Sequence, residues 1–174
     1  DDFGRRSDLE AGVGPEGASC AECPDEMVEN LGRFGISDAA GTFHQRGWSS
    51  ITLPAHFPDV ARATQVVLPQ SGGPDIDGVI AMDPYVVQAL MQYTGPIELA
   101  EAGVTVAPAN AARFLLADQY SLIEDGDNAA RLETIDTLGQ QVIGALLSTT
   151  LPEPSALARE LGPLVAERRL LVWT

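Results

Sequence analysis

The chain contains no lysine: all ten basic residues among its 174 are arginine, set against 25 Asp and Glu, for a net charge of −15. A nucleic-acid surface needs clustered Lys and Arg to neutralise phosphates, so this balance argues against nucleic acid as a partner. It argues equally against docking on an anionic membrane surface. Long apolar runs are also missing. The longest, around Phe114–Leu116 and Leu170–Trp173, fall well short of the roughly 20 residues that a spanning helix needs. No signal-peptide pattern opens the chain. Histidine is scarce: His44 and His56 are the only two, and neither sits in a zinc or triad motif, which favours ordinary surface or loop positions. Phosphate-binding glycine loops, G-x-S-x-G and H-E-x-x-H are all absent.

What is present describes a globular domain. Apolar residues make up 45% of the chain, enough for a real core at this length. The arginine-only usage fits a G- and C-rich coding sequence, with bidentate anion contacts as the functional alternative. Cys20 and Cys23 form a C-x-x-C in a stretch rich in Gly, Glu and Pro. That setting favours a local disulfide or two thiols over metal or redox chemistry, which would want a second ligand pair or a helix start after a strand. The chain opens on Asp1 and closes on a strand-like Leu170–Trp173, as expected of a fragment of a longer protein.

Residues 1–40 read as an irregular N-terminal segment or linker, although Pro24 to Leu31 suits a short helix. Residues 41–174 read as an α/β domain. Gly35 to Gly47 is turn-rich and carries Phe43, His44 and Arg46. Ile51 to Leu53 suits a short strand. Pro58 suits a helix start, and Val60, Ala63 and Val67 share one helical face. Ile76 to Met82 reads as a buried strand leading into a helix. Asp83 is placed to cap that helix, Pro84 to open it, and Gly95 to end it. Val87, Leu90 and Met91 form its apolar stripe. Ile97–Leu99 and Val104–Val106 flank Gly103 as a hairpin or pair of short strands. A helix from near Pro108 has Ala111, Leu115, Leu116, Leu122 and Ile123 as its core face. A longer one from about Asn128 is capped by Asp127 and has Leu132, Ile135, Val142, Ile143 and Leu146 on one side. A last helix over Ser155–Arg169 should break or kink at Gly162-Pro163. The order predicts a mixed β-sheet covered by helices in α-β-α layers.

Carboxylates gather at positions 75, 77 and 83 and again at 124, 125 and 127. Such loops suit a hard cation, Mg²⁺ or Ca²⁺, while strand entry and helix capping account for Asp77, Asp83 and Asp127 without one. Arg46, Arg113 and Arg131 are isolated cations in an acidic chain. Asp127 and Arg131 have the spacing of an i,i+4 ion pair.

One set of motifs is familiar. Trp48 stands before Pro54-Ala55-His56-Phe57-Pro58-Asp59, followed by Asp77-Gly78-Val79-Ile80-Ala81-Met82-Asp83-Pro84. Then come Thr94-Gly95-Pro96-Ile97, Asp127-Asn128-Ala129-Ala130-Arg131 and Glu167-Arg168-Arg169-Leu170-Leu171-Val172-Trp173. Together they resemble the domain-of-unknown-function 4012 family of actinobacterial cell-envelope proteins, over about residues 40 to 174. The resemblance implies an extracytoplasmic location in the cell envelope, with a membrane anchor elsewhere in a longer parent protein. A more distant similarity is to the LytR-CpsA-Psr family, which transfers glycopolymers from a polyprenyl-pyrophosphate carrier to peptidoglycan. That likeness would make the fold LytR-CpsA-Psr-like. It would make Arg131, Asp127 and Arg46 catalytic candidates and Asp77, Asp83 and Arg113 ligand-binding ones. The paired Arg expected upstream of Arg131 is replaced by Gln119-Tyr120-Ser121-Leu122. Two readings follow. One is an envelope domain that binds a glycopolymer, a lipid-linked glycan or an envelope protein. The other is a metal-assisted phosphotransferase acting on such a glycopolymer.

Overall fold

The computed structural model describes residues 9, 12, 18–20, 23, 27, 29, 42–43, 47–121 and 128–174. The α-helices described from end to end are α1 (Phe57–Gln70), α2 (Pro84–Thr94), α3 (Ala111–Leu116), α4 (Asn128–Ser148) and α5 (Pro154–Ala166). The strands are β1 (Ala18–Ser19), β2 (Thr42–Phe43), β3 (Val79–Met82), β4 (Ile97–Leu99), β5 (Val104–Val106) and β6 (Leu170–Trp173). The mixed helix-and-strand class is as expected. The single mixed sheet is not: these strands form three two-stranded sheets, β1–β2, β3–β6 and β4–β5.

The chain divides into two compact units, Asp1–Ile80 with Val172–Thr174, and Ala81–Leu171. The first unit packs Ala18, Cys20, Cys23, Met27, Trp48, Ile51, Ala63 and Val67 into one cluster. Its helix α1 presents the predicted face, with Val60, Ala63 and Val67 buried together with Ala61. Pro58 opens that helix, where a missing N–H costs nothing. The indole Nε1 of Trp48 donates to Ser71 Oγ at 3.0 Å, and that hydroxyl donates to the Val67 carbonyl at 3.0 Å. The buried indole N–H is thereby satisfied just past the end of α1. The Gln70 amide accepts from Ser19 N and donates to Ser19 O, both at 2.8 Å, so a side chain completes the bonding of β1 as a neighbouring strand would. Cys20 and Cys23 are joined as a disulfide. This resolves the C-x-x-C in favour of the local bond, and both cysteines are buried.

Two expectations for the first unit change. Ile51 to Leu53 is no strand: residues 47–50 form a 3-10 turn, and Leu53 N donates back to Ser50 O, which folds the chain into a turn before Pro54. The strand read over Ile76 to Met82 is shorter, Val79–Met82, and is not buried. Ile80 is 60% exposed and Met82 40%. A two-stranded sheet leaves one face to solvent, and alternate residues point there. Gly78 lies so close to the Trp173 carbonyl that an added Cβ would sit 2.6 Å from its oxygen, which accounts for glycine at that position.

The second unit has a core of Met91, Ile97, Leu99, Val106, Phe114, Leu138 and Val142, with Ala111. The predicted hairpin is present, pairing Ile97 with Val106 and Leu99 with Val104 antiparallel. Gly103 takes φ 61° in its loop, a conformation open to glycine at little cost. Helix α3 is brief. It stops at Leu116, which is half exposed, and a 3-10 turn over Asp118–Tyr120 follows. The expected core residues Leu122 and Ile123 lie outside the described residues, as does the cap Asp127. Much of the segment predicted as a short helix over Pro24 to Leu31 is likewise outside. In α4 the buried pair is Leu138 and Val142. Leu132, predicted on the core side, is exposed. Helix α5 runs unbroken through Pro163. The proline falls in the last turn, where only one intrahelical bond is forfeited and the Glu167 N–H closes on the Pro163 carbonyl.

Candidate functional site

The turn after β3 is the first place to look, because the predicted ligand residue Asp83 stands there. Asp83 caps α2 through Oδ1, which accepts from Tyr85 N at 2.9 Å and Val86 N at 3.1 Å. Its Oδ2 is held by Arg169 Nη1 at 2.6 Å. Arg169 also donates through Nε to Glu167 at 2.6 Å and lies 4.5 Å from the Tyr85 ring centroid. The hydrogen bonds to Glu167 and then Asp83 raise the guanidinium pKa further above its ordinary value, so it stays charged at every working pH. Arg168 enters the left-handed region at φ 59°, a strain of about 1–2 kcal/mol, where the chain turns out of α5 to deliver Arg169. Both oxygens of Asp83 are thus used in fastening α2 to the start of β6. An arginine does converge on this carboxylate, and the result is a structural clamp.

Asp77 is exposed in the loop before β3. Arg113 is exposed and paired with Asp118 at 3.0 Å. Arg46, His44, Glu124, Asp125 and Asp127 lie outside the described residues. His56 is exposed, with Nδ1 3.0 Å from Asp59 Oδ2. Among the described residues no group of three or more His, Cys, Asp or Glu is placed to hold a metal ion.

Among the described residues, the predicted Arg131 lines a groove of about 590 Å³ in the second unit. One wall is the β4–β5 hairpin, contributing Glu98 and Glu101. The other is α4, contributing Arg131, Glu133, Thr134, Thr137 and Gln141. The α4 residues fall on one helical face because positions three and four apart stack along a helix. Gln119 also lines the groove. It is only 5% exposed and is anchored by donating Nε2 to the Leu115 carbonyl. Its Oε1 accepts from Arg131 Nη1 at 3.3 Å. The Arg131 guanidinium also lies 5.1 Å from the Tyr120 ring centroid. Two consecutive residues of one 3-10 turn therefore fix the arginine, one by hydrogen bond and one by cation–π contact.

A family model described as a protein of unknown function, DUF4012, matches residues 32–120, just over half of the chain. The chain belongs to the DUF4012 family. No curated protein and no solved structure matches it. The stretch matched to DUF4012 contains the hairpin wall, Gln119 and Tyr120, while the α4 wall lies beyond it. The polar face of α4 was the missed signal. Arg131, Thr134, Thr137 and Gln141 recur at helical spacing in the sequence, but only the fold brings Glu98 and Glu101 into the same groove.

Proposed function

We propose that this DUF4012 chain is a non-catalytic, extracytoplasmic cell-envelope domain that binds a glycan in the groove between the β4–β5 hairpin and α4. The single observation that carries the reading is the groove's lining. The carboxylates of Glu98 and Glu101 on the hairpin face the hydroxyls of Thr134 and Thr137 and the Gln141 amide on α4, with Leu99, Ala100, Ala102 and Ala130 as the apolar part of the lining, a mixture that suits a ligand with hydroxyl edges and C–H faces. The carboxylates of Glu98, Glu101 and Glu133 outweigh the guanidinium of Arg131 there. A pyrophosphate group would want the opposite balance. The disulfide supports a location outside the reducing cytoplasm, and a membrane anchor would belong to the parent protein. On this reading the LytR-CpsA-Psr likeness reflects glycan handling without the transfer step. Asp83, held by Arg169, and Arg113, paired with Asp118, do not line the groove with Arg131, which supports that choice over a metal-assisted phosphotransferase.

Calorimetry of the purified chain against neutral oligosaccharides tests the reading. Dissociation constants of about 0.1–1 mM are expected for a groove of this size, with weakening on Thr137→Val and Gln141→Ala. A melting temperature raised by polyprenyl pyrophosphate with Mg²⁺, with no response to any oligosaccharide, would overturn it in favour of the transferase.

A further inference from the structure

We infer that Tyr120 is a stacking platform at the rim of the groove, taking the apolar face of a sugar ring whose hydroxyls reach the polar walls. The inference rests on the glycan reading and adds to it a residue that no part of the groove lining includes. Tyr120 is 60% exposed although it is an aromatic side chain adjacent in sequence to a nearly buried one, Gln119. An exposed aromatic provides a large, stiff contact surface with few torsions to freeze on binding.

Its posture is fixed by three local ties. Tyr120 N donates to Ala117 O at 3.1 Å. The hydroxyl of Ser121 closes on the Asp118 carbonyl at 2.7 Å. Arg113 holds the Asp118 side chain at 3.0 Å from the other side. The Arg131 guanidinium lies 5.1 Å from the ring centroid, and the same guanidinium lines the groove. The ring is therefore one side chain away from the polar walls, held against a cation on one side and open to solvent on what remains. A pyranose or furanose ring matches that layout. One face carries C–H groups that pack on an aromatic, and its edges carry hydroxyls for carboxylates, threonines and amides. Preorganisation by Gln119 and Arg131 removes part of the ordering cost that binding would otherwise incur.

Saturation-transfer NMR with a neutral oligosaccharide such as cellotetraose or galactotetraose tests this on the intact chain. Irradiation of aromatic protons should pass to sugar C–H protons in the native protein and in Tyr120→Phe, and be lost in Tyr120→Ala. Affinity should fall about tenfold in Tyr120→Ala and stay within about twofold in Tyr120→Phe, with melting temperatures unchanged in both. Binding by the native chain that Tyr120→Ala leaves intact would overturn the platform and leave the glycan reading standing. Absence of binding by the native chain to every neutral oligosaccharide would overturn both.

Discussion

The two units reach a packed core by different routes. Among the described residues, the first packs Ala18, Met27, Ile51, Ala63 and Val67 with one indole, and includes a disulfide between residues three apart. The second contains no cysteine and relies on Phe114, Met91, Leu99, Leu138 and Val106, with its helices joined at the surface by side-chain hydrogen bonds. A core that includes a disulfide gains from a covalent restraint on the unfolded chain, whereas one without draws its stability from buried area and fit alone. The candidate groove belongs to the second kind of core: α4 buries Leu138 and Val142 and turns its polar residues to the cavity.

The largest expected effect tests the second unit. Phe114 is 2% exposed, and truncating a buried Phe removes both transfer energy and packing. Phe114→Ala should cost about 3–5 kcal/mol in denaturant unfolding and abolish groove binding, because α3 leads directly into the turn that carries Gln119 and Tyr120. A loss below about 1 kcal/mol would mean that this core collapses around the gap and is not held by the ring.

The disulfide is the next test. Closing so short a loop restrains the unfolded chain by about 2 kcal/mol in the chain-entropy account. The double variant Cys20→Ser, Cys23→Ser should lose about that much. Faster amide exchange is expected at Ser71, whose N–H bonds to Val67 O in the first unit, and unchanged exchange at Val142. Equal acceleration at both sites would show that the two cores do not differ in what restrains them.

Legibility in the sequence followed locality. The face of α1, the Asp83–Pro84 opening of α2 and the β4–β5 hairpin were readable because each depends on neighbours within a few residues: a helical stripe, a cap, a turn glycine. The exposure of β3 was not readable. Val79 to Met82 is as apolar as a buried strand, and only the number of strands in its sheet decides how many faces are covered. The role of Asp83 was half legible. Its cap is local, but its ion-pair partner lies 86 residues away in Arg169. The groove was the least legible part, since its two walls come from segments on either side of α3 and carry no motif. Its threonines and glutamines look like ordinary solvated helix surface until the hairpin is set opposite them.

The smallest expected effect sharpens the contrast between a covalent restraint and a surface tie. In the second unit Tyr93 of α2 donates its hydroxyl to Glu160 of α5 at 2.5 Å. The hydrogen bond to Glu160 is the main cause that raises the Tyr93 pKa above its ordinary value, followed by burial and by the carboxylate's charge. The bond needs the protonated phenol, so its contribution is complete below the ordinary tyrosine pKa of about 10 and is lost as pH rises through the higher folded value. Tyr93→Phe should therefore be slightly less stable than the native chain at neutral pH, and the difference should vanish in strongly alkaline solution. Absorbance titration should show the loss of one phenol that ionises above the usual range. The disulfide variant provides the comparison: its deficit has no such phenol behind it and should persist across the same rise in pH. A Tyr93→Phe difference that stays constant through that range would mean that the ring's packing, and not its hydrogen bond, joins α2 to α5.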